Sequence, residues 1–160
     1  MTTEPRKATI EQDYPATPER VWELWTTASG IERWWAPDGF EVRVDHLDLR
    51  PGGTLTYTMT ATGPDQVAFM EGAGLPLSTT STKTFTIVEP HSRLAYTTLA
   101  DFIPGVTPYE FLTEVELTPR DGGVHVTMTV DEMHDEEWTQ RLVGGRQNEL
   151  ANLGKLVGQS

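Results

Sequence analysis

The chain has 160 residues, with 12 Lys plus Arg against 24 Asp plus Glu, a formal net charge of −12 and no cysteine. That length suits one domain core, and the negative field disfavours phosphate backbones and anionic lipid surfaces. Disulfide frameworks, thiolate nucleophiles and Cys-ligated zinc are excluded.

Met1–Lys7 is polar, without the apolar run of a secretory signal, and no stretch reaches the ~18 apolar residues of a membrane span. The expectation is a cytoplasmic protein with neither a nucleic-acid nor a membrane partner: a polar tail over 1–7 and a single domain over 8–160. Ala8–Tyr14 reads as a first strand. Thr17-Pro18 then supplies an N-cap and a proline at the first helical position, and Val21, Trp22, Leu24, Trp25 and Ala28 recur at helical spacing. Ser29-Gly30-Ile31-Glu32 matches a capping box, so a second short helix should carry Trp34 and Trp35 and stop at Pro37.

From Phe40 the period changes to two. Phe40, Val42 and Val44 share one parity and Leu47 and Leu49 the other, which places a bulge near Asp45-His46. Pro51-Gly52-Gly53 is a turn, after which Leu55, Tyr57 and Met59 alternate with threonines. A short strand is expected over Val67–Glu71, with Phe69 and Glu71 on its inner parity. Leu75–Lys83 reads as a connection or strand edge without chemistry, and Lys83–Glu89 and Arg93–Leu99 read as strands. Phe111, Val115 and Leu117 lead through Pro119–Gly123 into Val124, Val126, Met128 and Val130, a hairpin with matching apolar faces. Trp138, Leu142, Leu150, Leu153 and Val157 then return to helical spacing over roughly five to six turns. Gly144-Gly145 lies mid-helix, where each glycine costs about 1 kcal/mol relative to alanine, so a close approach or a bend is expected there.

An antiparallel sheet with one apolar face needs a cover, and only the C-terminal helix, from about Asp135 to Val157, is long enough. The expected class is therefore α+β: a curved antiparallel sheet of six or seven strands wrapped around that helix, with two short helices after the first strand. Such an arrangement tends to leave an apolar cavity between sheet and helix.

The stretches "YPATPERVWELWTTASGIERWWAP", "DLRPGG" before "TLTYTM", "EPHSRLAYT" and "MHDEEWTQRL…ELANLGKL" resemble the activator of heat-shock protein 90 ATPase homologue-like branch of the START/birch-pollen-allergen (SRPBCC, helix-grip) superfamily, over about residues 8–157. The resemblance implies the helix-grip fold. On that scaffold it implies hydrophobic-ligand binders, ring-forming or dehydrating enzymes and chaperone cofactors alike. Many members of the branch carry Gly-Trp in the last helix where this chain has Gly145-Arg146, and the heat-shock activators proper carry a further N-terminal domain for which this chain has no room.

The leading expectation is a binder of a small hydrophobic or aromatic molecule. A cyclase or dehydratase using the same cavity is one alternative, and a heat-shock protein 90 cofactor acting through its surface is another. No cofactor and no metal are expected, while a chaperone partner and a homodimer stay open. The candidate lining is Trp35, Tyr57, Met59, Phe69, Glu71, Tyr96, Phe102, Phe111, Trp138, Leu142 and Arg146. Tyr57 and Tyr96 are expected to aim hydroxyls inward, and Glu71 to act as a buried acid or base if it points inward, an exposed strand-end glutamate being the commoner arrangement. Phe102, with Ile103 and Val106, would belong to a lid over Asp101–Tyr109. Arg146 near the buried stripe needs a carboxylate or a ligand anion, failing which it snorkels to the solvent edge, the commoner arrangement. The scattered His46, His91, His125 and His134 show no ligating pattern, and the acids of Asp131–Glu137 suit the first turn of a helix.

Overall fold

The computed structural model describes residues 7–36, 39–100 and 105–157. Strand β1 (Lys7–Tyr14) is followed by helices α1 (Pro18–Thr26) and α2 (Ala28–Trp34), then β2 (Phe40–Leu47) and β3 (Thr54–Ala61). Helix α3 (Pro64–Gly72) precedes β4 (Ser78–Glu89), β5 (Arg93–Ala100), β6 (Tyr109–Arg120), β7 (Gly123–Asp131) and helix α4 (Glu136–Leu156). The seven strands form one antiparallel sheet in the order β1-β7-β6-β5-β4-β3-β2. The first two strands in the chain are thus its two edges, and α1–α2 run from one edge to the other. This is the expected α+β helix-grip architecture. Among the described residues no helix is long and apolar enough to cross a membrane.

Thr17 caps α1 by accepting from the Arg20 N–H at 3.1 Å, with Pro18 opening the helix. The second cap differs from the expected Ser29 box. Thr27 caps α2, its Oγ1 accepting from the Gly30 N–H at 3.1 Å and donating to the Glu23 carbonyl at 2.8 Å. One threonine therefore closes α1 and opens α2, and Glu32 is released to accept the Val44 N–H of β2 at 2.8 Å. A Cβ on Gly30 would stand 2.7 Å from Leu24 Cα, so the close helix–helix turn requires glycine at that position. Pro37, the expected stop, lies outside the described residues.

The bulge between Val44 and His46 is present. The strand expected over Val67–Glu71 is not: that stretch lies in α3, opened by Pro64 with Asp65 in its first turn. Gly63-Pro64-Asp65 is a helix start, and the following Gln, Ala, Met and Glu are strong helix formers. No α3 residue is buried, so Phe69 and Glu71 face outward. Of the two readings left open for Leu75–Lys83, a connection or a strand edge, the strand holds from Ser78, where β4 begins. Its outward hydroxyls pair with those of β3, as in Thr56–Thr82 at 3.1 Å, Thr58–Thr80 at 3.1 Å and Thr60–Ser78 at 2.8 Å. Each such cross-strand pair contributes a few tenths of a kcal/mol up to about 1 kcal/mol.

Helix α4 is anchored at two points: the Tyr14 hydroxyl donates to the Leu150 carbonyl at 2.6 Å, and the Asn152 amide donates to the Ala36 carbonyl at 3.1 Å. Leu150 and Leu153 enter the main core, whereas Trp138 and Leu142 pack half-buried beside Ala100 and Phe111 in a second, smaller cluster. Asp135 caps the helix, accepting from the Trp138 N–H at 2.8 Å, and Asp131 accepts the Leu112 N–H at 2.9 Å, so these acids are structural. Gly144 and Gly145 are exposed, and a Cβ on either meets nothing within 4 Å. The close approach expected there occurs at Gly30 instead. Gly145→Ala is accordingly expected to stabilise the protein by about 1 kcal/mol and Gly30→Ala to destabilise it by about 1–3 kcal/mol, read as opposite shifts in thermal melts.

Candidate functional site

The inner faces of β3, β4 and β5 carry a group of side chains that do not resemble an ordinary core. Tyr57 on β3 and Tyr96 on β5 point inward as expected and are buried. Trp35, just after α2, stands between them, its ring centre 6.0 Å from that of Tyr57 and 6.2 Å from that of Tyr96. Between these strands, on the parity of Phe85, β4 places Lys83, which is only 3 % exposed. Its Nζ lies 5.9, 5.8 and 5.3 Å from the ring centres of Trp35, Tyr57 and Tyr96, a cage of three aromatic faces.

Arg146 reaches the same region from α4. It is 7 % exposed, so the snorkelling arrangement does not occur, and one guanidinium N–H donates to Glu149 Oε1 at 2.8 Å, one helical turn on. Sequence reasoning singled out Arg146 but missed both Lys83 and Glu149. The available signals were the two-residue spacing from Lys83 to Phe85 on an inward-facing strand and the three-residue spacing from Arg146 to Glu149.

Several polar atoms here are incompletely satisfied. Lys83 donates to Thr98 Oγ1 at 2.9 Å and forms no salt bridge among the described residues. Arg146 Nε and Glu149 Oε2 are buried without hydrogen-bond partners. The Trp25 indole N–H faces the Tyr96 hydroxyl without completing a well-formed hydrogen bond. Buried polar groups in folded proteins nearly always have partners, and a group without one costs roughly 1–3 kcal/mol.

Electrostatics follow from burial. Loss of solvent, followed by the repulsion of Arg146, pushes the Lys83 amine down to about 7, with Glu149 opposing the change. Cation–π attraction of the order of 1–2 kcal/mol per ring does not overcome a desolvation cost of several kcal/mol. Desolvation also opposes the charge of Arg146, but the Glu149 carboxylate offsets it and the guanidinium stays charged. Burial raises both the Tyr57 and Tyr96 phenols, with Glu149 adding to and Arg146 opposing the rise.

A recess lies where the strand pairing changes, lined mainly by residues of the outward parity. β4 pairs with β5 only from Lys83/Thr98 to Glu89/Arg93, while residues 78–82 pair with β3. Where β4 and β5 part, a recess of about 370 Å³ opens on the sheet, lined by residues that include Thr80, Ser81, Thr82, Thr97, Thr98 and Glu110. Thr98, the hydrogen-bond partner of Lys83, is therefore also a wall of the recess. By contrast, the interior gap among Trp22, Trp25, Leu94, Val115 and Leu117 has no room for a water molecule. The recess at the strand divergence is thus one of several openings on the surface, and the closed interior gap lies under α1 and not between the sheet and α4.

Of the expected lining, Trp35, Tyr57, Tyr96 and Arg146 converge. Met59 packs half-buried against the main core, Phe111 and Trp138 lie in the second cluster, and Leu142 packs against both. Phe69 is 68 % exposed and Glu71 is exposed, both on α3, so the inward orientation expected for them is corrected. Phe102, with Ile103 of the expected lid, lies outside the described residues, while Val106 packs against the second cluster. His125 faces outward as expected, at 2.6 Å from Asp13 and 3.1 Å from Glu11.

A seven-stranded sheet gripping a terminal helix, with a polar group enclosed between them, is the helix-grip class. Within that class the chain belongs to the family described as activator of Hsp90 ATPase homolog 1-like proteins, whose sequence profile matches residues 15–158. Among curated proteins none matches significantly. Solved structures with the same fold include protein CV1439 from Chromobacterium violaceum (21% identity, 96% of this chain and 97% of that one, TM-score 0.76). Protein Ms6760 from Mycobacterium smegmatis is similar too (22% identity, 99% and 98% covered, TM-score 0.71). An AHSA1-like protein from Aeromonas hydrophila shares 25% identity over 94% of this chain and 90% of that one, with a TM-score of 0.71.

The energetics of the group give two expected outcomes. An amine pushed down to about 7 destabilises the fold fully below pH 7, and the penalty is relieved as pH rises from 7 toward the ordinary 10.5. Lys83→Met should therefore stabilise the protein by about 1–4 kcal/mol at pH 6 and by progressively less toward pH 10. Glu149→Gln removes a largely buried carboxylate that faces Arg146 and Lys83 and should cost about 3–5 kcal/mol. Chemical denaturation of the variants across that pH range measures both.

Proposed function

We propose that this protein binds a small hydrophobic or aromatic molecule, taken in where β4 and β5 part and held against Trp35, Tyr57 and Tyr96 beneath α4. The observation that carries this reading is the shared wall: Thr98 lines the recess and accepts the Lys83 hydrogen bond inside the aromatic cage. Buried polar atoms lacking partners at the same place support it, since folding alone gains nothing from leaving Arg146 Nε unpaired. Ligand pockets combine aromatic walls with a few polar groups that fix orientation, and this group has that composition. The family description and the solved relatives support the scaffold.

Titration of the native protein with the uncharged dye N-phenyl-1-naphthylamine tests the reading. Saturable one-to-one enhancement of dye fluorescence is expected, with a Kd in the micromolar range, or about −8 kcal/mol. Thr98→Trp, which fills the shared wall, should abolish uptake and keep a cooperative thermal melt. A native parent that takes up no dye would overturn the reading and leave surface interaction as the better account.

A further inference from the structure

The geometry points to an apolar or aromatic monocarboxylate as the ligand, its carboxylate pairing with the Lys83 amine beside Arg146 and its ring lying in the aromatic cage. This inference rests on the binding reading above and adds the charge of the ligand.

The argument is a count of enclosed charge. Arg146 and Glu149 form an ion pair and cancel. Besides that pair and the two phenols, Lys83 is the one further described group here that carries charge, and no described residue pairs with it in a salt bridge. The other groups facing it are Tyr57 from β3, Tyr96 from β5 and Trp35, and both phenols are held protonated by burial. Protonated Lys83 thus brings one uncompensated positive charge, which a monoanion neutralises and a dianion exceeds. Arg146 Nε is a buried donor without an acceptor, and a carboxylate has lone pairs enough to serve it together with an ammonium. An uncharged ligand would leave the cation unpaired, and a cationic one would add to it.

Binding a carboxylate at an amine that titrates near 7 must take up a proton when the solution is more alkaline than that. No covalent step is involved. A lysine serving only as a neutral space-filler would show no such linkage.

The test compares 1-naphthylacetate with 1-naphthylacetamide, which share the ring and differ in charge, by isothermal titration in buffers of different ionisation enthalpy. At least a tenfold preference for the acid is expected. Proton uptake should approach one per protein at pH 8.5 and fall close to zero at pH 6, as one group titrating near 7 requires. Lys83→Met should lose the preference for the acid and the proton uptake that accompanies it. If that variant fails to fold, the proton uptake of the parent decides the matter. Equal affinity for acid and amide in a parent that binds the dye, or an uptake that does not change between the two pH values, overturns the proposal and leaves the binding reading intact. Failure of the parent to bind dye, acid or amide overturns both.

Discussion

The burial of the Arg146–Glu149 ion pair beneath α4 constrains everything around it. A helix covering the inner face of a curved sheet ordinarily presents leucines along its whole length, as α4 does at Leu150 and Leu153. One and two turns before these it presents a guanidinium, and the enclosed charge demands a carboxylate close by. Glu149, one turn on, meets that demand with one oxygen and leaves the other unpaired. Lys83, arriving from the sheet, then finds its nearest anion already engaged, and its proton is held weakly. The aromatic cage follows from the same constraint, because ring faces tolerate a nearby cation better than aliphatic side chains do.

The rest of the fold holds that group in place. Because β1 and β2 are the two sheet edges, α1 and α2 must cross between them, and the Thr27 junction with Gly30 sets the angle at which α2 delivers Trp35 to the inner face. The Tyr14 and Asn152 hydrogen bonds tie α4 to an edge strand and to the end of α2, which fixes how far along the sheet Arg146 projects. Such a group carries a stability cost, and in some proteins buried charges that a hydrophobic replacement would improve on serve specificity. The divergence of β4 from β5 adds the second element, since it interrupts the sheet beside Thr98 and brings solvent within one side chain of the amine.

Much of the architecture was legible in the chain. Period-two alternation marked β3, β6 and β7, the parity change at Asp45-His46 marked the bulge in β2, and Thr17-Pro18 marked the start of α1. Elsewhere the chain was less plain. Val67–Glu71 alternates well enough to pass for a strand, but Gly63-Pro64-Asp65 starts a helix. The Ser/Thr run before Lys83 lacks an apolar face, and its strand character comes from hydroxyl pairs across β3 that no single-strand pattern contains. Gly144-Gly145 signalled a close approach by composition, yet the helix turns both outward.

By itself, then, the sequence determined the class of fold, the aromatic residues of the inner face and the presence of an arginine near the buried stripe of the last helix, because periodicity, caps and turns are local properties. Only the tertiary structure decided that Arg146 enters the interior with Glu149, that Lys83 joins them inside three aromatic rings, and that the sheet parts beside Thr98. Those outcomes depend on which elements face one another across the domain and on how much water each charge loses there, and neither quantity is written in the spacing of residues along one strand or helix.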